Sequence, residues 1–577
     1  MKCRFALLVS VLCAFAVNAS ALDREAFSIT NYDLNVRVEP EQQRLGARGK
    51  ITLRNDSAQP QKVAVLQISS SLDWRSIKFA EKPLQYVTQP YTSDIDHTGA
   101  LSEAIINLRE AVAPKATVEL EIAYEGVIVQ DATRFARIGA PEDQALTSDW
   151  DQIGPKFTGV RGVGYVAWYP IATEAADLSE TNSLFEVLGR WKAREAGAMM
   201  HAQIGVAGYG VEPPPVQRLV NSADCPAGYE AAGALQQLGA DCTYDLLAAT
   251  IPAFVVAEYS LVDRSGIDVY YLPGHGASAT NYADAAEKLV PFITDWFGKP
   301  RAKARMADLP DSNAAPFESG SLLLIPLAAA DPKLAGLAAA HQLTHAAFSS
   351  PRPWIYEGLA HFAQALYLEQ QKGRQAALDY MGLHRSAFLQ AEARDTAPRS
   401  EDEVTHSLVN ASSEELYRTK AMYVWWILRD MIGDAALKKA LAAYRPEQDK
   451  QPSYFQHLLR GQTKRDLEWF FDDWVYRDRG LPDFKIESAF PRKTLNGSYM
   501  VTVTVENLGS AGAEVPVIVR FVGGEASQRL EVHGKSKSVI RIAVAGAPQE
   551  VVVNDGSVPE SDMANNTFKI ESPVADK

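Results

Sequence analysis

Beyond its first twenty-one residues the sequence has no apolar run long enough to cross a bilayer, which takes about 20 residues, so no membrane span is expected in the processed chain. Cysteine is scarce, with four in 577 residues, and two of these lie in that first segment. Positive charge is in deficit: 57 Lys and Arg stand against 71 Asp and Glu, a net of −14. Such a surface repels nucleic acid and anionic lipid, which argues against both as partners. No Gly-rich phosphate loop is present, and no G-x-S-x-G elbow that would support a serine hydrolase. There is no long internal repeat and no low-complexity tract.

What is present begins with an export signal. Lys2 and Arg4 precede the 13-residue apolar stretch FALLVSVLCAFAV, and Ala19-Ser20-Ala21 offers small residues for cleavage. Residues 1–21 therefore read as a signal peptide, and the mature protein as periplasmic or extracellular. Leu12 is bulky, which speaks against lipid attachment at Cys13. Losing Lys2 and Arg4 and no acid moves the net charge from −14 to −16. Cys225 and Cys242 then remain, and in an exported protein a lone pair reads as a disulfide. Sixteen residues lie between them; closing a loop of that size contributes about 3 kcal/mol on the chain-entropy model.

The length exceeds one domain, and the fold class expected is multidomain α+β. Residues 22–262 alternate apolar and polar in YDLNVRVEP, GKITLRN, QKVAVLQI and TVELEIAYEGVI, the pattern of a large antiparallel sheet or saddle. Residues 263–483 turn helical. NYADAAEKLVPFITDWFG stops at Gly298-Lys299-Pro300. ADPKLAGLAAAHQLTHAAF offers Asp331 as N-cap and Pro332 as first helical residue. YEGLAHFAQALYLEQQKG and EELYRTKAMYVWWILRDMIG follow, the last closed by Gly433. Residues 484–577 return to short strands with turn signals about every ten residues, which suggests an immunoglobulin-like sandwich. Its DGSVPESDMANN segment reads as a solvated loop, with calcium as the minor alternative.

The chemistry centres on HQLTH. His341 and His345 are four apart and share a helix face, so both imidazoles can reach one ion. Glu357, after a Ser-Pro-Arg-Pro turn, is placed to be a third ligand of one zinc, which takes His and Glu and keeps a fourth position open. Two core histidines are the alternative for the pair alone; WIYEG downstream strengthens the metal reading. His361, four past Glu357, reads as a supporting or core histidine, Trp425 and Trp426 as core, and Arg352 as a solvated loop residue.

The chain here resembles the aminopeptidase N (membrane alanyl aminopeptidase) family of gluzincin zinc metallopeptidases. HQLTH resembles the family's HExxH, and YEGLAHF its downstream glutamate motif. APFESGSLLL resembles GxMEN, which implies that Glu318 binds a substrate's free amino group. LYRTKAMYVWWILRDMIG resembles the segment of the transition-state tyrosine, which implies that role for Tyr417, with Tyr423 or Tyr380 as alternatives. The resemblance runs over about residues 25–485 and implies a β saddle ahead of a thermolysin-like helical domain, one zinc, and peptide or protein N-termini as partners. The C-terminal sandwich resembles adhesion modules of bacterial exported proteins.

Three departures bear on activity. Eleven residues separate His345 from Glu357, a shorter connection than the family's, and Tyr417 stands three before Lys420 rather than two. Gln342 occupies the general-base position. An amide of similar size can hydrogen-bond the attacking water but cannot accept its proton, a loss of about 10²–10⁴-fold. The expectation is a zinc site with impaired turnover. The alternatives are a non-catalytic pseudoenzyme that binds peptides or envelope partners, and a structural protein without metal. Gln342 stands one position from a ligand, so its helical direction is expected to be right for the metal-bound water. If the pocket is otherwise intact, Gln342→Glu is expected to gain activity by about that same general-base factor.

Overall fold

The computed structural model describes residues 22–180, 183–207, 217–232, 235–247, 249–395, 407–411, 413–477 and 479–570. The export signal read at residues 1–21 lies outside them. The protein is mixed α+β, with an N-terminal sheet domain, a helical middle and C-terminal β-sheets. No helix among the described residues is long and apolar enough to cross a membrane.

The N-terminal part is built on an eight-stranded sheet whose central strand, Phe27–Glu39, buries alternate residues. Tyr32, Leu34, Val36 and Val38 point into the core, as a period of two requires. A three-stranded sheet of Gln61–Ser69, Ala100–Val112 and Gln85–Thr92 belongs to the same part of the chain, and both contribute to one hydrophobic core. The large sheet is not purely antiparallel: Phe27–Glu39 pairs in parallel with Met199–Val206. The long intervening segment lets the chain return in the same direction, which a tight hairpin does not. Cys225 and Cys242 form a disulfide with a Cα–Cα distance of 5.1 Å. It ties the entry of the strand Ala227–Ala232 to the strand Leu235–Tyr244.

The strand Ser260–Asp263 pairs with Ile267–Tyr271 in a five-stranded mixed sheet. The sheet of the middle part thus starts just ahead of residue 263. Ala304–Asp308, Leu322–Ile325 and Phe317–Ser319 complete it. Helices Gly276–Phe297 and Ala335–Ala347 pack on it; Pro353–Lys372 packs on Ala335–Ala347, and Ala421–Ile432 on Pro353–Lys372. Two boundaries differ from those read in the sequence. Asp331 accepts from the Lys333 amide and closes a turn, so the histidine helix begins at Ala335, not Pro332. The next helix starts at Pro353, because proline suits the first helical position.

The C-terminal part is a two-sheet sandwich of three and four strands. Its DGSVPESDMANN segment is solvated, as read, over residues 561–564 but buried over residues 557–560. Glu560 is fully buried and accepts from the Phe484 amide and from the side-chain amides of Asn554 and Asn566. Arg374 pairs with Asp555 at 3.0 Å, and Arg385 donates to the Glu560 carbonyl, so the loop docks on the helical domain.

Candidate metal centre

Ala-rich spacing lets the helix Ala335–Ala347 sit deep between neighbours, with almost every residue buried. Its i, i+4 histidines emerge side by side: His341 Nε2 lies 3.1 Å from His345 Nε2. Glu318 reaches them from the short strand Phe317–Ser319. That strand turns at Gly320, where φ is +57° and a Cβ would press on the Thr250 side chain at 2.9 Å; only glycine meets both demands. Glu318 Oε2 is 3.0 Å from His341 Nε2, and Oε1 is 3.8 Å from His345 Nε2. Glu357 arrives on the helix Pro353–Lys372, its oxygens 4.0 Å from His341 Nε2 and 3.9 Å from His345 Nε2. Gly358 makes that approach possible: a Cβ there would meet the Ala421 Cβ at 2.6 Å.

The structure thus brings His341, His345, Glu357 and Glu318 into one site. Tetrahedral zinc with bonds of about 2.0–2.1 Å holds ligand nitrogens about 3.3 Å apart, close to the separation of the two imidazoles here. Glu318 Oε1 and His345 Nδ1 are buried without hydrogen-bond partners. Two converging imidazole nitrogens, flanking carboxylates and an orphaned carboxylate oxygen fit a divalent cation. His361 was read as a supporting histidine; its ring lies 4.8 Å from that of His341. With His341 and Glu357 it forms a second close donor group.

Electrostatics tightens the picture. Burial alone would favour a neutral Glu357. The Arg418 guanidinium and the two histidines outweigh it and hold its pKa well below the usual carboxylate range. Arg418 Nε donates to Glu357 Oε2 at 3.2 Å, and Nη1 pairs with Glu414 at 2.8 Å. Burial pushes His345 down to about 4 and lowers His361 strongly. His341 instead moves up, since Glu318 overrides its burial. Neutral imidazole is the form that binds metal.

Other expected residues fall differently. Tyr417 lines the cleft beside Glu318, His345 and Glu357, but its hydroxyl donates to Glu414 at 3.3 Å. It sits in a π-helical turn, Glu415–Lys420. Such a turn absorbs one extra residue, which accounts for its displaced spacing from Lys420. Tyr380 donates to Gln364, and Tyr423 stacks on Phe388. Arg352 is not a solvated residue: its Nε donates to both oxygens of Asp449 at 2.7 and 2.8 Å, and its Nη2 lies 2.6 Å from Oδ1. Trp425 and Trp426 are core, as expected.

Gln342 does not face the metal donors. It is fully buried; its amide nitrogen donates to the carbonyls of Arg305 and of Ser321 (3.1 Å), and its oxygen accepts from the Tyr282 hydroxyl at 2.9 Å. The residue pins the histidine helix to the central sheet. The expectation that Gln342 points toward the metal-bound water is not met: the two carbonyls and Tyr282 hold both ends of its amide.

Sequence reasoning missed Arg418 and Lys192. Lys192 enters the same cleft from the N-terminal helix Ser183–Arg194, and burial lowers its pKa despite Glu357 and Glu414. Arg418 carried one signal, its place next to Tyr417; Lys192 carried none.

A crystal structure of an M1 zinc metallopeptidase from Deinococcus radiodurans matches this chain with a TM-score of 0.50 and 15% identity. The match covers 79% of this chain and 96% of that one. The fold is that of an M1 zinc metallopeptidase. Structures of a single-residue mutant of the same Deinococcus protein, alone and bound to a Tyr-Ser-Ala substrate, align at TM-score 0.47 and 16% identity over the same shares. No protein-family model and no curated protein matches the sequence. In the M1 architecture seen here, the histidine helix, the Glu357 helix and the Glu318 strand converge on one buried cleft.

Proposed function

We propose that this chain is an exported, zinc-holding protein of metallopeptidase type that recognises peptide or protein N-termini, with impaired peptidase chemistry. The observation that carries the reading is Gln342. An amide has no basic site, and this amide has both ends occupied by the central sheet and Tyr282. It neither moves a proton nor orients a reactant in the cleft. The donor set has no such defect: His341, His345 and Glu357, with Glu318 alongside, would hold the metal. Bound there, zinc would supply Lewis acidity and positive charge.

The chain's own residues do the rest. Glu318 offers a carboxylate for a charged α-amino group. Lys192, Tyr417 and Arg418 crowd the opening. The free space beside them is small, about 60 Å³, which suits the end of a chain more than its middle. A second reading, a non-catalytic binding protein, is favoured by the same narrow cleft and by Arg418 fixing Glu357 in place.

Metal analysis of gently purified protein, joined to peptide binding, tests the proposal. Near-stoichiometric zinc, tighter binding of free than of N-acetylated peptides, and slow hydrolysis of aminoacyl reporters are expected. Glu318→Gln should erase the preference for the free amino group. Equal affinity for both peptides at full zinc occupancy would remove Glu318 from this role. A robust hydrolysis rate abolished by chelation would refute the impairment.

A further inference from the structure

A second cavity of about 980 Å³ lies between the disulfide-tied edge of the N-terminal sheet and the first strands of the central sheet. None of its lining residues lines the metal cleft. Its charge runs against that of the whole molecule. Arg218, Lys299, Arg301, Lys303 and Arg305 line it. Two carboxylates oppose them, Asp224 and Asp268, and Asp268 is already paired with Lys303 at 2.9 Å. Lys303 also pairs with Asp263 just outside the cavity, so a protein with a net charge of −14 keeps two cations in excess here.

Arg305 is the decisive residue. It is 7% exposed, and its Nε has no hydrogen-bond partner. Among the described residues its side chain makes one hydrogen bond, a 3.4 Å donation from Nη2 to the Ser321 hydroxyl; Asp224 is the carboxylate that acts on it most, without an ion pair. A buried guanidinium N–H without an acceptor carries a desolvation cost that an incoming anion would relieve. Guanidinium geometry suits carboxylate and phosphate groups. Lys299 and Arg301 are exposed at the rim and form no ion pair among the described residues, so they are free to draw an anion inward.

The size and remaining walls narrow the class. The volume far exceeds a single inorganic anion and falls in the range of small-molecule sites, about 300–1,000 Å³. Two lining residues, Gln217 and Asn221, bear buried side-chain oxygens with no donor. Tyr229, Tyr270 and Val290 add apolar surface. We propose that this cavity binds an organic anion rich in hydroxyl groups, of the sugar-acid or sugar-phosphate class. Its acidic group would sit on Arg305, drawn inward by the exposed Lys299 and Arg301 at the rim.

The test is calorimetric titration of the full mature chain with D-glucuronate and with glucose 6-phosphate, beside glucose and inorganic phosphate. Saturable binding of at least one sugar anion is expected, the better of the two showing whether the acidic group is carboxylate or phosphate. Arg305→Gln should weaken it about 10–100-fold, the loss of a charge-assisted contact. The paired reversal Lys299→Glu and Arg301→Glu, confined to exposed positions, should weaken it with the fold intact and flatten its salt dependence. Chelation of metal should leave it unchanged. The proposal is overturned if neither sugar anion binds folded protein, if the rim reversal has no effect, if glucose or inorganic phosphate binds as well, or if chelation abolishes binding.

Discussion

Replacing Gln342 by glutamate tests the local geometry most sharply. The change is nearly isosteric, yet it removes a donor that faces the carbonyls of Arg305 and Ser321. An ionised carboxylate there would be buried against two acceptors, so the new carboxyl will bind a proton instead. Protonated, it donates to one carbonyl and leaves the other unpaired, at about 1–3 kcal/mol. Holding the proton at neutral pH adds about 1.4 kcal/mol for each unit that the folded pKa exceeds the unfolded value of about 4.3. The total is about 2–5 kcal/mol, or roughly 5–15 °C in the melting of a domain of this size. The sign follows from linkage: the raised folded pKa leaves the variant closest to wild type below about pH 4.3 and furthest from it above the folded pKa. Thermal unfolding of both proteins between pH 5 and 8, with reporter hydrolysis at equal zinc occupancy, decides the matter. A variant as stable as wild type at pH 8, with hydrolysis raised by about 10²–10⁴-fold, would refute this placement of Gln342 and restore the view of a peptidase one substitution from activity.

Two further outcomes follow from the electrostatics. Arg418→Met removes the cation that donates to Glu357 at 3.2 Å and strands a buried carboxylate. Metal-free protein should lose about 1–3 kcal/mol, less than for a fully buried pair because the Arg418 side chain is 35% exposed, while zinc restores more of the loss than it adds to wild type, measured as the zinc-induced shift in melting temperature; equal shifts would disconnect Arg418 from the candidate metal donors. Glu195 is buried beneath the N-terminal sheet, and burial raises its pKa to about 7. Its stabilising contribution is therefore complete below about pH 4.3 and lost as pH rises through 7. Glu195→Gln can keep both contacts, donating to a Tyr32 hydroxyl that itself donates to the Pro170 carbonyl and accepting from Ile29. It should gain up to about 3 kcal/mol at pH 8 and nothing at pH 4; denaturant titrations that stay parallel across this range would remove Glu195 as the cause.

Short-range rules made much of this protein legible from its sequence. Period-two alternation marked the strand Phe27–Glu39, and the i, i+4 spacing of His341 and His345 placed both rings on one face whatever the helix packs against. The lone cysteine pair of a chain read as exported pointed to the Cys225–Cys242 bridge. Those features depend on a few neighbouring residues, so a linear reading captures them. Where each side chain points after packing was not legible. Gln342 stands one residue from a candidate metal donor, but the carbonyls that claim its amide belong to a strand residue 37 away and a turn residue 21 away in sequence. Arg418 meets Glu357 across 61 residues, and Lys192 comes from another domain altogether. The loop at Asp555–Glu560 looks like a solvated turn until Arg374 and Arg385, more than 170 residues earlier, fold over it. Backbone periodicity is fixed by local sterics; the partner of a buried polar group is whichever distant segment the fold brings within about 3 Å, and only the tertiary structure makes that choice.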